Sequence, residues 1–459
     1  MFAVSFLTLH LVFSGLAVAL ILRERSALFS LLPLAMLCGL LLNLSMILML
    51  HSLTATFALG GILDVAVAVC LYRLRRQLPS RLFDLQIAPH AKRGKFARPG
   101  IIAFIFLLLA GAAIYSMLFD PIKAWDARSI WFFHGKILYY ADGLKTKDWG
   151  ITFSHTDYPI LIPALAAQVA MIVGYWNEYL PLTCLAILLC VECAVLACLA
   201  ETLSFLVCLL IIALLVFGLP PELTNGYADM HLALFAMAAC GLFVKFGRTR
   251  KPVDVVLAIL CLGVIACLKN EGMVLALIIG LSSAVALVLD SKLFIKNQVP
   301  ALPHRHVMAA IVLSVLPAVL WQCLIIAWGL KNDMTADGGN ALTRISSRLN
   351  RETLDNIISL LGSMVMLGAC LAATVANLRN RQIRNFSCHL PLVCSSMYLA
   401  VLILVYLATP HDLSWQLYTS APRVGLAIKA MLAFGTANFL DMLIQPRLAT
   451  SRIDSIAFA

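Results

Sequence analysis

The sequence predicts an all-α polytopic membrane protein, on three observations. Of its 459 residues 62% are hydrophobic and only 12% are charged, too few polar groups to clothe a water-soluble globule of this size. The apolar residues form runs mostly long enough to cross a ~30 Å hydrocarbon core as helices. The basic residues come in short clusters between those runs, the pattern of cytoplasmic loops resting on anionic lipid. That clustering argues against a nucleic-acid partner, although the net charge is +11. The fourteen cysteines lie in or at the ends of apolar runs and read as small core hydrophobes, not as disulfide or metal ligands.

Taken in order, residues 2–22 form a first span. Its start lacks a basic leader and a small-residue cleavage site, so it reads as retained and not as a signal peptide. Residues 29–50 and 52–72 follow, hinged at His51, and complete a three-helix leader (1–73). The basic stretch 74–98, closed by Pro99 and Gly100, reads as a cytoplasmic linker. Further spans are expected at 101–118, 179–200, 202–219, 230–246, 253–268, 273–289, 307–329, 354–377, 389–408 and 424–444, before a tail at 446–459. Thirteen crossings place nearly every dense basic cluster on one side.

The interval 119–160 organises the rest. It is the longest polar, aromatic-rich stretch, holding Trp125, Trp131 and Trp149 but no cysteine, and a loop of this kind is usually functional. Pro121 suits a helix start, and about five turns follow, with Asp126 near their beginning. The run 159–173 would rise only about 22 Å, short for a crossing, and is expected as an interfacial or partly inserted helix. An extra crossing there would invert every later loop.

On this topology the external polar groups meet at one face: Asp126, Arg128 and Lys136 in the first loop, His155, Asp157 and Tyr158 after it, Asp229 at a helix top, Lys269 and Glu271 in a short turn, and His411 and Arg423 near the end. Acids and bases at helix mouths under an aromatic loop suit a lipid-tailed substrate with a charged, polar head. Each residue has a plainer reading beside this one. Asp126, Asp157 and Asp229 are placed where a helix N-terminus favours an acid, Lys269 and Glu271 can pair with each other, Arg423 can snorkel, and the tryptophans can form an interfacial belt. Within the spans, Asp64 and Glu192 are costly in lipid.

The motifs WDARSIW at Asp126, HTDYPILIP from His155 to Pro163, GYWNEY from Gly174 to Tyr179, GYADMHLALF with Asp229, and CLKNEG with Lys269 and Glu271 resemble, in this order, those of the GT-C superfamily of polytopic glycosyltransferases. The nearest resemblance is to the group containing protein O-mannosyltransferases and lipid A aminoarabinose transferases. It covers roughly residues 99–445, including a periplasmic loop at 119–178, and leaves the leader outside. It implies a GT-C-like bundle in a bacterial inner membrane with its active site facing the periplasm. It also implies an inverting transfer from a polyprenyl-phosphate sugar to a hydroxyl of a lipid, an envelope glycan or a protein. Asp126 would take or orient the acceptor's proton, with Asp157 and Asp229 as further catalytic acids. Arg128, Lys136, His155, Tyr158, Lys269, Glu271, His411 and Arg423 would bind substrate, Lys269 and Arg423 as the preferred phosphate clamps.

The sequence departs from the family pattern at three points. Asp126 is followed by Ala127, which counts against a divalent metal held by an acidic pair. The helix-opening motif has one proline and an additional Asp157, and the large soluble C-terminal domain of several relatives is absent. The sugar, the acceptor and metal dependence stay open. A secondary transporter, which would show repeats and broken helices in both halves, and a non-catalytic envelope assembly protein are the other readings.

Overall fold

The computed structural model describes residues 2–22, 28–74, 115–145, 155–200, 224–293, 304–332, 340–362, 364–376 and 385–457, with 108, 111, 112, 149 and 208. The described elements are helical: α1 (Phe2–Leu22), α2 (Leu28–Leu50), α3 (Leu53–Leu74), a π-helical turn (Ala127–Trp131), α4 (Phe132–Ala141), α5 (Leu161–Val173), α6 (Cys184–Ala200), α7 (Asp229–Thr249), α8 (Pro252–Leu268), α9 (Asn270–Leu293), α10 (His304–Trp328), α11 (Ala341–Arg348), α12 (Arg351–Leu361), α13 (Met364–Ala376), α14 (Leu390–Ala408), α15 (Leu413–Val424) and α16 (Leu426–Ala457).

Nine candidate spans among the described residues are long and apolar enough to cross a bilayer, and the chain is a multi-pass membrane protein. Four of the thirteen expected spans make up the difference. The expected spans 101–118 and 202–219 lie largely outside the described residues, as does the linker 74–98. Helix α8 is apolar but only 17 residues long. The expected straight crossing 354–377 is instead two helices, α12 and α13, bent by 79°. The break falls at Gly362, whose φ of +61° ends α12 in the left-handed conformation that glycine adopts at little cost.

The leader belongs to the same core as the later helices. Helix α2 packs on α10, α8 and α6. Asn43 and Gln168 exchange two amide hydrogen bonds, of 2.9 and 3.0 Å, across α2 and α5. Both side chains are buried, so breaking this exchange would leave orphaned donors and acceptors at about 1–3 kcal/mol each. At the loop, Asp142 accepts hydrogen bonds from Ser52 and from the backbone and hydroxyl of Thr54. Helix α5 has 13 residues and is buried from Leu161 through Ala170. It sits inside the bundle and not along its surface, packed on α4 and touching α1, α2, α6 and α8.

Three amphipathic helices, α11, α12 and α15, lie at the end of the bundle that carries the loop. Arg344 and Arg348 of α11 donate to the carbonyls of Leu407, Ala408, Thr409 and His411, satisfying the C-terminal carbonyls that α14 leaves unpaired. Asp412 caps α15 by accepting from Trp415 N at 2.8 Å, and α12 packs against α15.

Candidate functional site

Two glycines allow the site to assemble. Gly226 has φ +94°, and a Cβ there would lie 2.6 Å from Ala127 Cβ, so the segment leading into α7 passes directly against the π-turn that follows Asp126. Gly272 occupies the first turn of α9, where a Cβ would lie 2.1 Å from the Ile265 carbonyl of α8. Between these two helices Lys269 alone is extended, at φ −159° and ψ 157°. A helix–residue–helix break of this kind turns Lys269 toward the top of α7.

The result is a continuous chain of alternating charges. Arg423 Nη1 donates to Asp126 Oδ2 at 2.8 Å and lies 3.6 Å from Asp229 Oδ2. Lys269 Nζ reaches Asp229 Oδ1 at 3.0 Å and Glu271 Oε1 at 3.2 Å. Five residues from four separate stretches thus form one network, Asp126–Arg423–Asp229–Lys269–Glu271. Its buried centre is Asp229, 6% exposed, and its open edge is Asp126, whose side chain is 29% exposed. The Arg423 guanidinium lies 4.2 Å from the Tyr227 ring centroid, a cation–π contact that fixes its plane. Burial acts to lower the Lys269 pKa, but Asp229 and Glu271 outweigh it and hold the ammonium well above its ordinary value. Lys269 is therefore a permanent cation.

Asp157 and Tyr158 form a second layer. Asp157 Oδ2 accepts from the amides of Asn270 and Asn332, and its carbonyl accepts from the Trp321 indole at 3.0 Å. Burial pushes its carboxyl up against the opposing pull of those amides. Tyr158 stacks between His155, at 4.4 Å, and Trp131, at 5.5 Å. Its phenol is raised well above the ordinary value by burial and then by the Glu271 charge.

Three sequence candidates lie outside this assembly. Arg128 is exposed on the π-turn. Lys136 pairs with Glu178 at 3.6 Å at the surface. His411 is exposed before α15, about 18 Å from Arg423 at the helical rise, with its ring edge-on to Trp415. Conversely, the structure adds Asn270, Asn332, Tyr227, Tyr398 and Tyr406. The hydroxyls of Tyr398 and Tyr406 on α14 lie within electrostatic reach of Lys269, Glu271 and Asp229. Asn270 and Tyr227 carried a sequence signal, through their places in CLKNEG and GYADMHLALF.

Among the described residues no three His, Cys, Asp or Glu side chains are grouped closely enough to hold one metal ion. The carboxylates of the network are separated by the cations that bridge them. Chemically the arrangement can hold a polar head between fixed charges, supply one ammonium hydrogen of Lys269 that its two carboxylates leave uncommitted, and present Asp126 Oδ1 at its accessible edge. Comparison of the chain with protein-family models, with curated proteins and with solved structures returns no match.

Proposed function

We propose that this protein is a glycosyltransferase of the GT-C kind, moving a sugar from a polyprenyl-phosphate donor to an acceptor hydroxyl at the loop end of the bundle. The observation that supports it is the Asp126–Arg423–Asp229–Lys269–Glu271 network, which draws Asp126, Asp229, Lys269 and Glu271 from three of the motifs on which the family resemblance rests and joins them through Arg423. In this reading the donor phosphate approaches Arg423 and competes with Asp126 for Nη1. The displaced Asp126 carboxylate receives the proton of the acceptor hydroxyl as its oxygen attacks the anomeric carbon. The carbon–oxygen bond to phosphate breaks, and the electron pair leaves on the phosphate, where Arg423 meets the growing charge. One displacement inverts the anomeric configuration. The acceptor is a lipid, an envelope glycan or a protein.

The setting proposed is a bacterial inner membrane with this end toward the periplasm. Helix α7 supports the orientation, beginning at Asp229 and ending beside Arg248, Arg250 and Lys251, the kind of cluster that stays in the cytoplasm.

The test is turnover by the purified chain in nanodiscs with polyprenyl phosphates linked to a panel of sugars and with glycolipid acceptors. Release of polyprenyl phosphate is expected, reduced about ten- to a hundred-fold in Arg423→Ala by loss of a charge-assisted contact. Absence of release and of sugar-dependent lipid binding across the panel would reject the reading.

A further inference from the structure

Among the described residues, four buried polar atoms on and beside the start of α9 have no hydrogen-bond partner: Asp157 Oδ1, Asn270 Oδ1, Glu271 Oε2 and the Tyr398 hydroxyl. Their residues converge. Asn270 donates its amide to the other oxygen of Asp157. Glu271 follows Asn270 in the chain and meets Lys269 at 3.2 Å. The Tyr398 phenol is carried by α14, which packs along α9, the helix that Asn270 and Glu271 begin. Asp157 is 4% exposed and Tyr398 1%. Buried polar atoms are almost always satisfied in folded proteins, so four orphans grouped at the start of α9 call for a ligand that completes them.

The chemistry of the orphans defines that ligand. Asp157 Oδ1, Asn270 Oδ1 and Glu271 Oε2 are acceptors, and the Asn270 assignment is fixed because its NH₂ must face the Asp157 carboxylate. The ligand must therefore bring donors. Charge points the same way: Asp126, Asp229 and Glu271 outnumber Lys269 and Arg423, and each cation already holds two carboxylates. An anion is disfavoured in the recess, whereas several hydroxyls on a neutral ring match the acceptors, with the Tyr398 hydroxyl free to give or take a hydrogen bond.

We propose that Asp157, Asn270, Glu271 and Tyr398 form a subsite for a neutral, hydroxyl-rich ring. Resting on the glycosyl-transfer reading, that ring is the sugar of the donor, held in the recess while its phosphate stays at the Arg423 edge. Asp157 is then a binding group, held in place by Asn270 and Asn332, and the charged network and the polyol subsite share Glu271.

Tyr398→Phe isolates the claim, because the hydroxyl it removes has no hydrogen-bond partner among the described residues and thermal stability is expected to hold. In the first arm, affinity is measured in nanodiscs for polyprenyl phosphate alone and for hexose- and pentose-linked polyprenyl phosphate. The variant should lose about ten-fold for the sugar-linked lipids, the size of one hydrogen bond in a buried site, and nothing for the bare lipid phosphate. In the second arm, free methyl hexosides and pentosides at millimolar concentration should protect the wild type against thermal unfolding more than the variant. Protection by free glycosides with no binding of any sugar-linked lipid would keep the subsite and reject the transferase reading. Equal responses of wild type and Tyr398→Phe in both arms would overturn the subsite.

Discussion

Helix α7 carries a polar cluster at each end, about 28 Å apart, and the two use the same residue types in opposite ways. In its last two turns Lys245 donates to the Cys198 carbonyl at 2.7 Å and meets Asp254 at 3.2 Å. Asp254 also accepts from Thr249, and Arg248 reaches Asn438 and Asp441. Nearby, both oxygens of Asp290 accept backbone N–H groups at Phe386 and Ser387. No buried carboxylate oxygen of Asp254, Asp290 or Asp441 is orphaned. At the first residue of α7, Asp229 opens a cluster with more acids than bases, and buried oxygens of Asp157 and Glu271 lack partners. At the closed end the carboxylates are all met, although Asn438 Nδ2, Asn385 Oδ1 and Ser387 Oγ beside them are not, and a set of paired charges of this kind holds helices together. A set that stays incomplete at a helix mouth is the arrangement of a binding site.

The sharpest way to break this contrast is to attack the closed end. Lys245→Met leaves the buried Asp254 without its cation, and the folded state should lose about 3–5 kcal/mol. Thermal unfolding in nanodiscs measures the loss, while turnover per folded molecule should stay near that of the wild type. A variant as stable as wild type but inactive would place function at the wrong end of α7.

A smaller effect is expected at the Asp142 clasp, which shares the loop end but is internally satisfied. Burial raises the Asp142 carboxyl, yet the Thr54 and Ser52 donors and Lys145 together hold it below its ordinary value of 3.8. Because the folded value is the lower one, the stabilisation is complete above the ordinary value and fades as the pH falls through the folded value. Asp142→Asn should therefore flatten the fall of thermal stability below about pH 4 without changing turnover at neutral pH. An unchanged acid limb would show that the clasp contributes no stability.

The sequence made some of this legible and hid the rest for definite reasons. Apolar runs disclose helices because burial in lipid and burial in protein both demand them, but for the same reason they do not tell which helix is submerged in the bundle, as α5 is. The bend at Gly362 was hidden because one glycine in an apolar run is tolerated in a straight helix. Asp126, Asp229, Lys269 and Arg423 stood out as charges at helix ends. Their mutual neutralisation did not, since Asp126 and Arg423 are 297 positions apart. That pairing changes the picture of Lys269 and Arg423 from free phosphate clamps to cations each shared between two acids. Tyr398 carried no signal, because a tyrosine within an apolar span reads equally well as packing.

The central claim is that the open end of α7 is the working end, and Asp126 tests it most directly. Asp126 is partly exposed, pairs through its side chain with Arg423 alone among the described residues, and lies outside the apolar core, so Asp126→Asn should preserve expression and thermal stability. Turnover with a sugar-linked polyprenyl phosphate and a hydroxyl acceptor should fall about 10²- to 10⁴-fold, the range for a positioned proton acceptor, while Asp157→Asn, measured alongside, should act mainly on donor affinity. Near-normal turnover in Asp126→Asn, with folding intact, would contradict the account.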